Sequence, residues 1–134
     1  MAIKKIMVVD DSATERAFME SLLKKRGYEV LTVDGGKAAI ERSMTELPDL
    51  ILMDVVMPGL NGFQATRAIA HEERTKHIPI IICSTKDQET DKIWGLRQGA
   101  KDYLVKPLNE TELLAKIGAL AQSGQAAQPS LRAQ

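Results

Sequence analysis

A single cysteine, one tryptophan, two tyrosines and two phenylalanines are all that this 134-residue chain offers of those residue types. Alone, Cys83 can close no internal disulfide, so nothing points to an oxidising compartment, and its place in the apolar run Ile78 to Cys83 reads as core. Long hydrophobic runs are missing too. None approaches the ~18–20 residues of a membrane span, and Lys4-Lys5 is followed only by Ile6 to Val9 before Asp10, too short for a signal-peptide core. Neither sign of charge is in excess, since 18 Lys and Arg face 18 Asp and Glu. With no global field to recruit nucleic acid or an anionic membrane, any electrostatic function must be local. The expectation is a cytoplasmic domain with no nucleic-acid partner and no membrane insertion.

What is present is a regular alternation. Ile6 to Val9 reads as a first strand that stops at Asp10-Asp11. Ser12-Ala13-Thr14-Glu15 matches a capping box, predicting a helix from Ala13 to about Arg26 with Ala17, Phe18, Leu22 and Met19 inward and Gly27 as its stop. Tyr28 to Val33 reads as a second strand, and Lys37 to Leu47 as a helix ended by Pro48. Leu50 to Met53 is a strand buried on both faces, ending on Asp54 and followed by the turn Met57-Pro58-Gly59. A helix follows from Phe63 to about Arg74. Ile80 to Cys83 is a fourth strand, stopping at Ser84-Thr85. Asp87 to Gln98 is a helix stopped by Gly99, and Asp102 to Val105 a fifth strand ending at Lys106-Pro107. A last helix runs from Glu110 to about Gln122 behind an Asn109 cap. Residues 123–134, without apolar periodicity, are expected to be a disordered tail behind one domain over 1–122. Five strands alternating with helices call for a doubly wound α/β fold: a parallel sheet covered on both faces, with the polar second strand at an edge.

The strand endings carry the chemistry. In parallel strands Asp10-Asp11, Asp54, Ser84-Thr85 and Lys106 share one rim, and such sheets bind ligands outside that rim where the strand order reverses. With the order 2-1-3-4-5 the reversal falls between the first and third strands, setting two acids beside a third. At ~4 Å and an effective dielectric of ~20, each ionised pair costs about 4 kcal/mol. Raised pKa values or a bound cation relieve that cost, and Lys106 offsets only one charge of three. An all-oxygen set without His or Cys suits a hard cation, and Mg²⁺ is the better match because it keeps waters and uses one or two carboxylates plus a phosphate. A metal beside Asp54, the Ser84 hydroxyl and the Lys106 ammonium together fit phosphoryl transfer, with Asp54 as an already ionised nucleophile.

Asp10-Asp11, Asp54 followed by Met57-Pro58-Gly59-Leu60-Asn61-Gly62, Ser84-Thr85 and Lys106-Pro107 resemble the CheY-like receiver domain of two-component response regulators, over about Ile3 to Ala121. Residues Asn61 to Arg67 and Thr85 to Lys92 are similar to stand-alone PilH-type regulators of type IV pilus twitching motility. The resemblance implies the flavodoxin-like order 2-1-3-4-5 and a phosphoryl group passed from a sensor histidine kinase to Asp54. It implies Mg²⁺ ligated by Asp11, Asp54 and the carbonyl of Val56, with Asp10 acting mainly through water. It implies Lys106 on the phosphoryl oxygens, a cis bond before Pro107, and Ser84 and Tyr103 as a coupled switch. That switch would alter the face made by the fourth helix, fifth strand and fifth helix, where a downstream protein binds, the chain being a monomer or a weak phosphorylation-dependent dimer. Ser84 and Leu108 depart from the family's commoner Thr and aromatic, and Val56 and Lys86 flank the site where members vary.

A phosphorylation-gated binding module, rather than a turnover enzyme, is the leading expectation; a phosphate sink for a shared kinase uses the same chemistry. A haloacid-dehalogenase-like hydrolase would carry a second acid two residues after the nucleophile, where this chain has Val56. A flavin or nucleotide binder would present a neutral first loop, where this chain has Asp10 and Asp11. His71 and His77 read as solvated, and Trp94 as either core or partner contact.

Overall fold

The computed structural model describes the backbone of residues 2–133 and the side chains of residues 2–122. Five strands alternate with five helices: β1 (Lys5–Val9), α1 (Ala13–Lys25), β2 (Glu29–Val33), α2 (Gly36–Glu46), β3 (Leu50–Met53), α3 (Gly62–His71), β4 (Ile80–Ser84), α4 (Glu89–Gln98), β5 (Asp102–Val105) and α5 (Glu110–Ala133). The disordered tail expected over 123–134 lies outside the fully described residues. Every neighbouring pair is parallel, in the order β2-β1-β3-β4-β5. The polar second strand is an edge, as its composition predicts. Among the described residues no helix is long and apolar enough to cross a membrane.

Each face of the sheet buries its own core. Met7, Val9, Ile51, Met53 and Ile82 point to the side covered by α2, α3 and α4. Ile6, Val8, Leu50, Leu52, Ile81 and Cys83 point to the side covered by α1 and α5, where Met19, Leu23, Leu113 and Ile117 close over them. Alternating residues of β3 thus enter both cores. At ~1.5–3 kcal/mol for each large apolar side chain removed from water, this strand anchors both layers.

Several helix details differ from the sequence reading. On α1 the buried residues are Met19 and Leu23, whereas Ala17 is exposed and Phe18 is 56% exposed. Leu22 packs only partly against the core. Met19 is inward as expected, but one residue turns a helix by ~100°, so its neighbours Ala17 and Phe18 swing to the surface and Leu23 takes the next buried position. The Ser12 cap accepts the Glu15 N–H, but the Ser12 N–H goes to Asp10 Oδ1 at 3.0 Å, so Glu15 does not reciprocate. The α3 helix stops at His71 rather than near Arg74 because the Thr75 hydroxyl, itself buried, donates to the Ile69 carbonyl at 2.8 Å. Its start is firm: Asn61 Oδ1 accepts the Gln64 N–H and Gln64 Oε1 accepts the Asn61 N–H, both at 2.9 Å. The start of α4 falls at Glu89, not Asp87, because the Asp91 carboxylate takes the Gln88 N–H at 3.2 Å.

One glycine is demanded by the turn after Asp54. Gly62 donates its N–H to the Val55 carbonyl at 2.9 Å, and a Cβ there would stand 1.9 Å from the Asp54 carbonyl oxygen and 2.8 Å from Val55 Cα. Backbone cannot yield as a side-chain tip does. Gly62→Ala is therefore expected to lower unfolding stability by about 3 kcal/mol, read as the shift of a urea unfolding midpoint; a loss within experimental error would show that the loop has another seat.

Candidate functional site

Register alone brings the polar endings together. Val9 pairs with Met53 and Met53 with Ile82, so the next residues on these strands, Asp10, Asp54 and Cys83, form the following row across the sheet. Cys83 pairs with Leu104, and Lys106 lies two residues further, bonding through its N–H to the Ser84 carbonyl at 2.8 Å. The Asp54 N–H donates to the Val9 carbonyl at 2.9 Å, pinning the acid at the end of the central strand.

Asp10, Asp11 and Asp54 each offer a carboxylate oxygen, all within 4.8 Å of one another; Asp10 and Asp54 are buried and Asp11 is exposed. Lys106 Nζ donates to Asp10 Oδ2 at 2.8 Å and to Asp54 Oδ1 at 3.3 Å, with all three side chains largely out of solvent. Asp10 is held further by the Ser12 N–H, and its own carbonyl accepts from the Arg16 guanidinium at 2.8 Å. Burial lifts Asp54 above the ordinary aspartate range; Lys106 pulls the other way without cancelling it, and the charge of Asp10 adds to the rise. Burial also opposes the Lys106 charge, but the bond to Asp10 and the charges of Asp54 and Asp10 outweigh it and hold its pKa above the ordinary lysine range.

Three carboxylates against one ammonium leave two negative charges, which a divalent cation balances. Octahedral Mg²⁺ with ligands at ~2.1 Å sets its oxygens ~3–4 Å apart, a span that the trio accommodates. Hard oxygen donors without nitrogen or sulfur favour such an ion. The residues fit the group. Val56 follows on the β3–α3 loop with its side chain 60% exposed.

Ser84 is fully buried at the end of β4, and its Oγ accepts the Lys86 N–H at 3.1 Å. Tyr103 is buried as well and donates its hydroxyl to the Lys86 carbonyl at 2.8 Å. The two switch candidates therefore grip opposite sides of one residue. Burial raises the Tyr103 pKa above the ordinary phenol value, the Ser84 hydroxyl opposing it and the charges of Asp91, Asp87 and Asp54 adding to the rise. The peptide bond between Lys106 and Pro107 is cis. His71 and His77 are exposed, as expected, and Trp94 is 50% exposed, which decides its two readings in favour of the surface.

Sequence reasoning missed two neighbours of the site. A cavity of about 20 Å³, room for roughly one water, lies beneath the acids, lined by Asp10, Asp54, Lys106, Glu15, Cys83 and Leu108 among others. Glu15 was read only as a cap, and Cys83 only as core. Counting the strand register from Asp10 and Asp54 was the signal that would have found Cys83.

The comparisons with known proteins agree with this geometry. The family model for the response regulator receiver domain matches residues 6–118. The chain belongs to the response regulator receiver family. Protein PilH of Pseudomonas aeruginosa is 52% identical over 116 residues, covering 87% of this chain and 96% of that protein. Chemotaxis protein CheY4 of Vibrio cholerae shares the fold with a TM-score of 0.81 at 33% identity, covering 87% of this chain and 98% of that one. The receiver domain of sensor histidine kinase PA1611 of Pseudomonas aeruginosa has a TM-score of 0.79 at 32% identity, over 90% of this chain and 98% of that one, and holds a magnesium ion coordinated in its active-site cleft.

Two outcomes follow from the receiver's electrostatics. Because the folded-state pKa of Asp54 stands above the unfolded value, the proton it binds favours folding at low pH, and that advantage is lost as pH rises through the raised value. At neutral pH without divalent ions, Asp54→Asn is thus expected to melt at a higher temperature than wild type. The gap should close on acidification and when millimolar Mg²⁺ stabilises the wild type; an unchanged or lower melting temperature would contradict the cost assigned to burying the Asp54 charge beside Asp10. Burial also pushes the Cys83 thiol up to about 12. It should resist an alkylating reagent in the native protein at mildly alkaline pH and react quickly in urea, where a thiol titrates near ~8.5; rapid native labelling would mean the β4 row opens.

Proposed function

We propose that this receiver is a response regulator that accepts a phosphoryl group on Asp54 from the phosphohistidine of a sensor histidine kinase and signals by binding another protein. The observation that carries the reading is the end of β3. A carboxylate on the central strand lies with two further acids, Asp10 and Asp11, and is faced by the Lys106 ammonium. A structural role would not gather three acids around one lysine, since the crowding costs stability.

An Asp54 carboxylate oxygen attacks phosphorus while the bond from phosphorus to the histidine nitrogen breaks, and its electron pair stays on the imidazole. Lys106, already 3.3 Å from Asp54 Oδ1, balances the charge of the phosphoryl oxygens. Asp11, Asp54 and the Val56 carbonyl, with Asp10 through water, would hold Mg²⁺, which supplies the remaining charge neutralisation when bound. The Ser84 hydroxyl donates to a phosphoryl oxygen, and in turning it gives up the Lys86 N–H. Tyr103, which holds the other side of Lys86, transmits the change to the face made by α4, β5 and α5, where a downstream target binds. The chain also assists its own dephosphorylation, acting as a switch and not as a turnover enzyme. It works in the cytoplasm as a monomer or weak phosphorylation-dependent dimer. The likeness to PilH supports a place in type IV pilus twitching or chemotaxis-like motility.

Incubation with Mg²⁺ and a small acyl phosphate, followed by intact mass measurement, tests the chemistry. One added phosphoryl group is expected on the wild type, none on Asp54→Asn, and a large drop in rate for Lys106→Met. A phosphoryl group that persists in Asp54→Asn would remove Asp54 from its assigned role.

A further inference from the structure

Helix α3 begins with a cap that leaves its amide side chains one-sided. Asn61 Oδ1 and Gln64 Oε1 each accept the other's backbone N–H, so the groups these side chains leave wholly free for a ligand are N–H donors. Arg67 stands one further step of three along the helix, on the same side, and its guanidinium is exposed and forms no ion pair among the described residues. Across from them α4 presents Trp94 and, one turn on, Gln98. Together with Phe63 these residues line an open groove of about 450 Å³ between α3 and α4, with no carboxylate among them.

The groove therefore combines one unpaired cation, a donor-rich rim and a half-exposed indole beside Phe63. Arg and Trp are the side chains that dominate protein recognition sites, and a guanidinium takes a carboxylate through two parallel bonds. We infer that the α3–α4 groove is a docking site for an acidic segment of a partner protein, one that sets an Asp or Glu on Arg67 and a neighbouring large apolar side chain against Trp94 and Phe63. Nucleic acid or an anionic lipid surface would need several cations in a row, and this groove has one in a chain of zero net charge. This surface shares helix α4 with the α4-β5-α5 face of the proposed phosphorylation signal but opens on its α3 side, and it uses none of the phosphoryl-binding residues.

The test is selection from a displayed library of random 12-residue peptides against the full unphosphorylated chain, followed by amide NMR with the enriched peptides. Enriched sequences should carry Asp or Glu beside a large apolar residue and shift the resonances of Gln64, Arg67, Trp94 and Gln98 saturably. Arg67→Glu, an exposed charge change that keeps the fold, should weaken them at least tenfold, as should Trp94→Ala. Heparin, the polyanion control, should compete at least tenfold more weakly than the peptide. Basic or featureless enriched sequences, no enrichment at all, shifts confined to another face, binding that survives Arg67→Glu, or equal competition by heparin would each overturn the assignment. Since no phosphodonor is present, failure here leaves the Asp54 chemistry untouched, and failure there leaves this groove untouched.

Discussion

The Lys106 ammonium between the carboxylates of Asp10 and Asp54 is the contact around which the upper rim of the sheet is arranged. It joins the end of β5 to the ends of β1 and β3 across a partly dry site, where charge is strongly felt. It is deliberately incomplete. One ammonium cannot neutralise three carboxylates, and Asp54, lifted first by burial and then by the charge of Asp10, holds its proton more tightly than an ordinary aspartate. A site left short of positive charge suits a divalent cation, which would offset the carboxylates. Stability given up at the rim is offset by the two apolar layers below, both anchored on β3.

Much of this could be read from the residues. Apolar runs ending in Asp10-Asp11, Asp54, Ser84 and Lys106 are visible without any coordinates, because parallel strands put all their endings on one rim. The polarity of β2 likewise marked it as an edge. What could not be read depends on rotation and on distant partners. Phe18 and Met19 are adjacent and similar in hydropathy, and only the tilt of α1 over the sheet decides that Met19 is buried and Phe18 faces a groove with Leu22, Lys25 and Glu110. The end of α3 was set by the Thr75 hydroxyl reaching back six residues to Ile69, a bond with no periodic signature. Cys83 joins the site through strand register, which has to be counted across from Asp10 and Asp54 and is not carried by the apolar pattern of its own strand.

Helix α4 shows the limit of pattern reading most clearly, because it is apolar on the outside. Ile93, Trp94 and Leu96 are exposed, while the residues turned inward are Gly95 and Gln98. Hydrophobic burial, at ~1.5–3 kcal/mol per large side chain, therefore contributes little to holding this helix down. Its seat depends on close approach instead. A Cβ at Gly95 would come 2.9 Å from Ile82 Cδ1 and 3.1 Å from Tyr103 Cδ2, and one at Gly99 would come 2.5 Å from Ala70 Cβ.

That manner of attachment bears on how the end of β4 is linked to the surface of α4. The Tyr103 ring lies under Gly95, and the Tyr103 hydroxyl holds the carbonyl of Lys86, whose N–H is held by Ser84. Ser84 is therefore connected to α4 by two hydrogen bonds and one ring contact, with no large apolar cluster that must be broken for the helix to shift. The C-terminal end is fixed against α3 through Gly99 and Ala70, whereas residues 85–90 leading into the helix are exposed. With one end tied and the other lightly held, α4 has few contacts to break at its N-terminal end. Since its outward residues are the apolar ones, even a modest displacement would change the hydrophobic surface it presents.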